Sequence, residues 1–221
     1  MGLRSYRYFA DQYEGNVEPD LDLYAHYGHT LYAHKASEGC YHIDRAHARR
    51  VRKAHSLGLS VLHYHFARPD EGGPAAREAG IFWSVVKPLW RPGDRLALDL
   101  EARPGARWEA ARGYPELLWN AVHRTSGQNP LIYGSTSFLT GEVPRALLRK
   151  HARWEAAYGP MPGRGPWRRH WWAWQQTDGI VGPKPHACAG IGDCDVSLLY
   201  LPVAVAIRAR VRARQVGHRQ R

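Results

Sequence analysis

The chain has 221 residues, a length that one compact domain can accommodate, because chains usually split into domains only beyond about 250 residues. Apolar residues make up 44% of the chain, and no apolar run approaches the roughly 18 residues of a membrane span. The first residues carry arginine and tyrosine where a secretory signal needs an apolar core, so we expect no export signal. These features favour a packed domain and argue against an integral membrane protein.

The formal charge of +11 is concentrated at one end of the chain. Residues 203–221 contain six arginines and no acid, which leaves +5 for the rest. A charge of this sign favours any polyanion, whether nucleic acid, anionic lipid or an anionic wall polymer, and selects none of them.

The three cysteines are too few for a disulfide framework, and their spacing is not that of a zinc ribbon. Cys188 and Cys194 are either free thiols or the ends of a small disulfide-closed loop in an oxidising compartment. The cysteines therefore leave the compartment open.

Short apolar segments alternate along the chain with segments of helical periodicity. Segments rich in aromatic and aliphatic residues, bounded by Gly, Pro, Asn or Asp, predict strands at 29–36, 59–67, 94–102, 129–137 and 170–177. Segments with apolar residues on one helical face predict helices at 43–58, 75–89 and 114–127. Repetition of strand, helix and strand implies a mainly parallel sheet, and at this length a TIM-like β/α barrel in a single domain. In such barrels the chemistry lies at the carboxyl ends of the strands.

Two acids in the segment LALDLEARPG are the first candidates for chemistry. Asp99 and Glu101 alternate with leucines, so both should point to one side of a strand and the leucines to the other. Neighbouring carboxylates raise each other's pKa, and glycoside hydrolysis requires a protonated acid beside an anion. Salt bridges on an exposed edge strand or a divalent-cation site are the alternatives. A strand flanked by leucines in an α/β pattern should be buried on both faces, where unpaired acids are costly unless they serve a purpose.

Eight segments occur in the order found in glycoside hydrolase family 25 muramidases. They are FADQYEG, KASEG, HYHFARP, LALDLEARPG, PLIYGSTSFL, WEAAYG, WAWQQTDG and GDCDVSLLY. The chain therefore resembles a phage-type endolysin, or lysozyme, of that family over roughly residues 6–202. The resemblance implies an irregular β/α barrel as the catalytic domain, residues 1–202, followed by a basic, arginine-rich tail, residues 203–221.

The resemblance implies that four acids line the catalytic groove. Glu101 would be the general acid that protonates the leaving oxygen. Asp99 would act beside it, either as a direct nucleophile or by assisting the N-acetyl group of the substrate. Asp11 matches the aspartate that ends the first strand of the family, and Asp195 matches the one near the last strand. The segment after Asp11 is two residues shorter than the family pattern, so capping of a turn is the alternative role for this residue.

Four further residues match positions of the family near the groove. Lys35 and Glu38 in KASEG match a lysine and a glutamate that pair at the end of the second strand, with a plain surface ion pair as the alternative. The family pattern places Tyr64 in HYHFARP in the site, and Tyr133 in LIYGS matches a comparable position of the family. Aromatic faces stack on sugar rings, so both tyrosines suit a glycan groove, and core packing is the rival explanation for each.

Tryptophans and histidines complete the candidates. Trp172 and Trp174 should share one face of a strand, which makes them candidates for a sugar-stacking wall, with core packing as the alternative. His63 and His65 share the face opposite Tyr64. Packing or hydrogen bonding explains these histidines better than a metal pair, because no third ligand completes a site.

The resemblance implies a muramidase that hydrolyses the β-1,4 bond between N-acetylmuramic acid and N-acetylglucosamine in bacterial peptidoglycan, without a cofactor or a metal. As a phage endolysin it would lie in the host cytoplasm before release to the wall, and we expect a monomer. The rival is a non-catalytic protein that binds wall glycan or another polyanion such as nucleic acid. Acids that converge in one groove would repel a phosphate backbone, so we expect no nucleic-acid partner. The basic tail is then a final helix followed by a disordered, solvated end, or a segment that adheres to anionic wall polymers or a membrane surface.

Overall fold

The computed structural model describes residues 7–71, 73–102, 113–159, 170–200, 206–208 and 211. The strands in these residues are β1 (Tyr8–Gln12), β2 (Leu31–Glu38), β3 (His42–Ile43), β4 (Ser60–Phe66), β5 (Arg95–Asp99), β6 (Leu131–Ser135), β7 (Arg153–Ala156), β8 (Trp171–Thr177), β9 (Ala187–Cys188), β10 (Gly192–Asp193) and β11 (Asp195–Leu199). The α-helices are α1 (Leu21–His26), α2 (His47–Ser56), α3 (Ala75–Val86), α4 (Tyr114–Ser126), α5 (Thr136–Glu142) and α6 (Arg145–Lys150). The five predicted strands and the three predicted helices are all present, with ends that differ by a few residues.

Eight of the strands close into a barrel in the order β1-β11-β8-β7-β6-β5-β4-β2, with β1 paired back to β2. Strand β1 is parallel to β2, β2 is parallel to β4, and each neighbouring pair from β4 to β8 is also parallel. Strand β11 runs antiparallel to β1 and to β8. The mainly parallel β/α barrel expected from the sequence is confirmed, and the antiparallel strand makes it irregular.

The outer face of the barrel packs against helices. Leu98 of β5 is buried against Phe82 of α3 and Leu118 of α4, so the leucines lie on the side away from the pocket, as predicted. Helix α4 carries Pro115 in its first turn and ends at Gly127, whose φ of 70° lies in the left-handed region that favours glycine. No helix in the described residues is long and apolar enough to cross a membrane.

Apolar side chains fill the inside of the barrel. Phe9, Leu62 and Leu131 are buried there together with Ile207 and Val211 from the chain beyond β11. Because β11 is antiparallel, it ends at the end of the barrel where the parallel strands begin. Ile207 and Val211, which follow β11 in the chain, pack into the barrel core from that end. Part of the predicted tail therefore packs against the barrel. The other residues of 203–221 lie outside the described residues, apart from 206 and 208, and the boundary at residue 202 stays a prediction.

Candidate active site

Four acids converge where the parallel strands end. Asp11 lies near the end of β1, Asp99 ends β5, and Glu101 follows Asp99 by two residues. Asp195 begins β11, and because that strand is antiparallel its first residue lies at the same end of the barrel. The four acids surround a pocket of about 210 Å³. The residues that line it are Asp11, Tyr13, Lys35, Tyr64, Phe66, Asp99, Glu101, Tyr133, Trp154 and Asp195.

Asp99 is buried at the end of β5, with 6% of its surface exposed. It lies in register with Phe66 on β4 and Tyr133 on β6, and its Oδ1 has no hydrogen-bond partner among the described residues. Burial raises the pKa of Asp99 well above its usual value, and Glu101 raises it further, whereas Lys35 lowers it. A buried carboxylate oxygen without a partner costs stability, which indicates that this residue is kept for function rather than for folding.

Glu101 lies outside the strand and is exposed. This corrects the expectation that both acids occupy one face of a strand, because β5 ends at Asp99. Although its side chain is open to solvent, the protein around it raises the pKa of Glu101 by desolvation, and the Tyr133 hydroxyl partly offsets this rise. An accessible acid with a raised pKa can deliver a proton to a leaving group on a bound substrate.

A second cavity, of about 480 Å³, adjoins Glu101. Because Glu101 lines both cavities, a chain-like substrate can occupy both and place the bond between two of its units at this carboxyl. The hydroxyl groups in the second cavity suit a substrate rich in hydroxyls. Its lining consists of Glu101, Ser135, Thr136, Ser137, Ala156, Ala157 and Tyr158.

Asp11 and Asp195 lie directly opposite each other on the β1–β11 pair. Gln175 on β8 donates from Nε2 to Asp11 Oδ2 at 3.1 Å and to Asp195 Oδ2 at 3.2 Å. Burial raises the pKa of Asp11 well above its usual value, the charge of Asp195 raises it further, and the hydrogen bond from Gln175 lowers it. Burial, together with Asp178 and Glu101, raises the pKa of Asp195 to about 6. These two carboxyls therefore hold a proton more tightly than isolated aspartates do.

Lys35 provides a cation in the lining of the acidic pocket. Its Nζ pairs with Glu38 and lies 4.9 Å from the centroid of the Phe66 ring. Glu38 also accepts a hydrogen bond from Arg68 at 2.8 Å. Of the two residues predicted from KASEG, Lys35 lines the pocket and Glu38 holds it there from outside the lining.

Both predicted tyrosines line the pocket. Tyr133 Oη donates to Gln175 Oε1 at 2.6 Å, and Tyr64 Oη donates to the backbone carbonyl of Gln12 at 3.2 Å. The ring of Trp154 packs between them, with its centroid 4.4 Å from that of Tyr133 and 6.2 Å from that of Tyr64. The aromatic surface of the pocket is therefore built by these three rings.

The two tryptophans predicted to form a sugar-stacking wall are both buried and line neither cavity. Trp172 lies in the barrel core, with its ring centroid 5.9 Å from that of Phe9. Trp174 donates from its indole nitrogen to the backbone carbonyl of Ala157 at 2.8 Å. Gln175 is the residue of β8 that reaches the acids, because it alternates with Trp174 along the strand.

The histidines of β4 lie outside the pocket and form hydrogen bonds, as expected. His65 Nε2 lies 2.7 Å from Glu78 Oε2, and its Nδ1 lies 2.9 Å from Ser37 Oγ. His63 Nδ1 lies 2.9 Å from His47 Nε2. All five side chains are fully buried and have no access to a substrate. In the described part of the chain, no group of three or more His, Cys, Asp and Glu side chains is arranged to hold a metal ion.

Cys188 and Cys194 are free thiols, which is the first of the two alternatives for them. Both are buried beside the barrel, in a cluster that also contains Tyr24 and Val196. Cys194 directly precedes Asp195 in the chain, so this cluster supports the start of β11.

Sequence reasoning missed Gln175 and Trp154, although both lie in motifs that it singled out, WAWQQTDG and WEAAYG. The available signal was polarity, because a glutamine within a strand of large apolar residues faces either solvent or buried polar partners. For Trp154 there was no such signal, since any of the nine tryptophans could lie in the barrel core.

Four acids gathered at the end of the barrel where the parallel strands finish lie on the face where β/α barrels carry their chemistry. The family model described as glycosyl hydrolases family 25 matches residues 10–183, and the chain belongs to this family. The protein is therefore a glycoside hydrolase, as the sequence predicted. The matched range contains Asp11, Asp99 and Glu101, and Asp195 lies beyond it.

Several solved structures share this fold. The lysozyme of Streptomyces coelicolor is 19% identical and aligns over 93% of this chain and 97% of its own, with a TM-score of 0.75. The muramidase of Acremonium alcalophilum is 22% identical over 93% of this chain and 99% of its own, with a TM-score of 0.72. The CTP1L endolysin is 18% identical over 92% of this chain and 70% of its own, with a TM-score of 0.69. No curated protein matches the chain.

Proposed function

We propose that this protein is a muramidase, which hydrolyses the β-1,4 bond between N-acetylmuramic acid and N-acetylglucosamine in bacterial peptidoglycan. The observation that carries the proposal is the pair of acids at the end of β5. Asp99 is buried, and its Oδ1 has no partner among the described residues, while Glu101 is exposed and lines both cavities. The lysozyme and the muramidase that share the fold support this substrate class.

In the proposed reaction Glu101 gives its proton to the glycosidic oxygen as the bond to the anomeric carbon breaks. Positive charge then develops on the sugar ring, and Asp99 stabilises it, either by bonding to the anomeric carbon or by assisting the substrate's N-acetyl group. Lys35 favours the anionic form of Asp99, since it lowers the pKa of that carboxyl. Water finally attacks the anomeric carbon, the bond from that carbon to Asp99 or to the N-acetyl oxygen breaks, and the water gives a proton to Glu101, which restores the acid.

The test is a reducing-end assay on purified peptidoglycan, with mass spectrometry of the products. New reducing ends that carry N-acetylmuramic acid are the expected result. N-acetylglucosamine at those ends would make the protein a glucosaminidase. Retention of the protein on the polymer without new ends would make it a non-catalytic glycan-binding protein.

We also propose that the enzyme acts in lysis from inside a bacterial host, in the manner of a phage endolysin. The shared fold with the CTP1L endolysin supports this role. When the protein is produced in the cytoplasm of a susceptible bacterium, cells should lyse only after chloroform opens the inner membrane. Lysis without chloroform would contradict the need for a separate release step.

For the basic tail we propose adhesion to anionic wall polymers, based on the six arginines of residues 203–221. A chain that ends at Val211 keeps the residues packed in the barrel core and loses Arg212, Arg214, Arg219 and Arg221. Its retention on purified walls should fall, and the difference from the full chain should vanish in high salt. Equal retention of both chains at low salt would show that these arginines do not contribute.

A further inference from the structure

Gln175 joins the two sides of the acidic pocket through four hydrogen bonds. It lies on β8 with 1% of its surface exposed. Its Nε2 donates to Asp11 at 3.1 Å and to Asp195 at 3.2 Å, while its Oε1 accepts from Tyr133 at 2.6 Å and from Tyr158 at 2.9 Å. A primary amide has two N–H groups and two lone pairs, so every hydrogen-bonding position of this side chain is used.

The chemistry of its partners fixes which way the amide faces. When Asp11 and Asp195 are ionised they only accept hydrogen bonds, whereas phenol hydroxyls can donate, so in that state Nε2 faces the two aspartates and Oε1 faces the two tyrosines. A buried side chain with four bonds cannot rotate without leaving polar groups unpaired, which is costly. Gln175 is therefore rigid, and it holds Oδ2 of Asp11 and Oδ2 of Asp195 on one nitrogen.

A shared donor matters here because the two carboxylates repel each other. Asp11 and Asp195 lie opposite each other in register, and like charges at short range oppose ionisation of both groups. The hydrogen bond from Gln175 lowers the pKa of Asp11, against burial and Asp195, which raise it. Charged and titratable groups that face the two aspartates or line the same pocket are Tyr13, Lys35, Tyr64, Asp99, Glu101, Tyr133, Tyr158, Asp178, Cys188 and Cys194.

We propose that Gln175 is a positioning residue, which holds Asp11 and Asp195 in one geometry and keeps their negative charge beside the reacting sugar. This proposal rests on the proposed muramidase activity. Oriented negative charge stabilises an oxocarbenium-like centre as it forms, because the groups need no reorganisation during the reaction. Gln175 acts through the two aspartates and does not touch the substrate.

Two variants test the proposal by opposite changes. Gln175→Glu keeps the size of the side chain and replaces the shared donor by an acid. The added negative charge raises the pKa of the neighbouring carboxyls, so the acidic limb of the profile of kcat/KM against pH should move to higher pH by about one unit. Gln175→Met removes all four bonds without adding charge and should lower kcat about 10- to 100-fold, the range for loss of a hydrogen bond to a charged group. KM should stay within about threefold in Gln175→Met, because the substrate does not contact Gln175.

Gln176 offers a matched control on the same strand. It is 2% exposed, but its Nε2 donates to the backbone carbonyls of Pro183 and Pro185 rather than to the acids. Gln176→Glu should lower Tm and leave the acidic limb where it is in the wild-type enzyme. An unmoved limb in folded Gln175→Glu, or an equal shift in both glutamate variants, would overturn the positioning role.

A measurement on the wild-type protein tests the hydrogen bonds of Gln175 without a variant and without an activity assay. In NMR spectra, the side-chain amide signals of Gln175 should shift with pH along the titration of Asp195, whose pKa is raised to about 6. Amide signals that do not respond between about pH 4 and pH 8 would overturn the positioning role. If the signals titrate and the wild-type protein releases no reducing ends, the muramidase assignment fails and the hydrogen-bonded arrangement of Gln175 stands.

Discussion

Asp99 and Glu101 are two residues apart in the chain, yet Asp99 is 6% exposed at the end of β5 while Glu101 opens onto both cavities of the groove. Burial is the largest cause of the raised pKa of each carboxyl, and Glu101 raises that of Asp99 further. Two adjacent acids in different surroundings can hold different protonation states, which is what acid catalysis beside an anion requires.

Glu101→Gln should abolish the release of reducing ends from peptidoglycan. A glutamine cannot donate a proton to the leaving oxygen, and general acid catalysis contributes about 10²- to 10⁴-fold to such reactions. Circular dichroism should match the wild-type protein and Tm should not fall, because removal of a carboxylate whose pKa is raised in the folded state does not destabilise the fold. Glu116→Gln, at an exposed position of α4, is the matched control and should keep full activity. Activity of Glu101→Gln within tenfold of the wild type would contradict the role of Glu101.

Asp99→Asn should lower activity by about 100-fold or more and at the same time stabilise the fold. The folded-state pKa of Asp99 is raised, so its ionised form costs stability at every pH above the usual pKa of about 3.9. Removal of that charge should raise Tm by about 2 to 4 °C at pH 7, for a gain of about 1 kcal/mol. The gain should disappear near pH 3, where the carboxyl is protonated in both states. A Tm at pH 7 equal to or below that of the wild type would contradict this account.

The buried histidines should reduce the stability of the protein as the pH drops below the usual histidine range, whereas carboxyls with a raised pKa, such as Asp99, act in the opposite direction. Burial lowers the pKa of His34 to about 3 and lowers those of His47 and His63. Between the unfolded value of about 6.5 and the lowered values, the unfolded chain binds more protons, so each such group removes about 1.4 kcal/mol per pH unit on acidification. Urea unfolding between pH 7 and pH 4 measures this slope.

A variant isolates one of these histidines. His34→Gln should reduce the slope of unfolding free energy against pH by about one proton, because glutamine does not titrate. His26, in the last turn of α1, is exposed and serves as the control, because His26→Gln removes an imidazole that folding does not bury and should leave the slope unchanged. A slope in His34→Gln equal to that of the wild-type protein would contradict the account of His34 as a buried neutral imidazole.

Two truncations separate the packed part of the C-terminal segment from its arginines. A chain that ends at residue 202 loses Ile207 and Val211, which are 7% and 2% exposed in the barrel core. Burial of one such side chain contributes about 1.5 to 3 kcal/mol, so Tm should fall by several degrees. A chain that ends at Val211 should unfold within about 2 °C of the full chain. Thermal unfolding of the three proteins checks this, and equal Tm values for all three would contradict the packing.

The sequence predicted those parts of the molecule that follow from local pattern. Alternation around Asp99 predicts correctly that the leucines pack outward against helices, and Gly127 marks the end of α4. The alternation of side chains along β8 does not show which face of the strand turns toward the pocket. The tryptophans were therefore predicted as site residues, and Gln175 was not. The place of Glu101 beyond the end of β5 depends on where pairing with the next strand stops, which a single segment does not encode.

The acids Asp11 and Asp195 come from the first and the last strands of the barrel, and they meet only when β11 inserts between β1 and β8. Contacts between such distant parts of a chain form late, because the intervening loop must close first. A chain still under synthesis on the ribosome lacks β11, and with it one acid of the groove and the closure of the barrel. The complete acidic groove therefore exists only after the last barrel strand has been made, and a product that terminates before β11 lacks it from the outset.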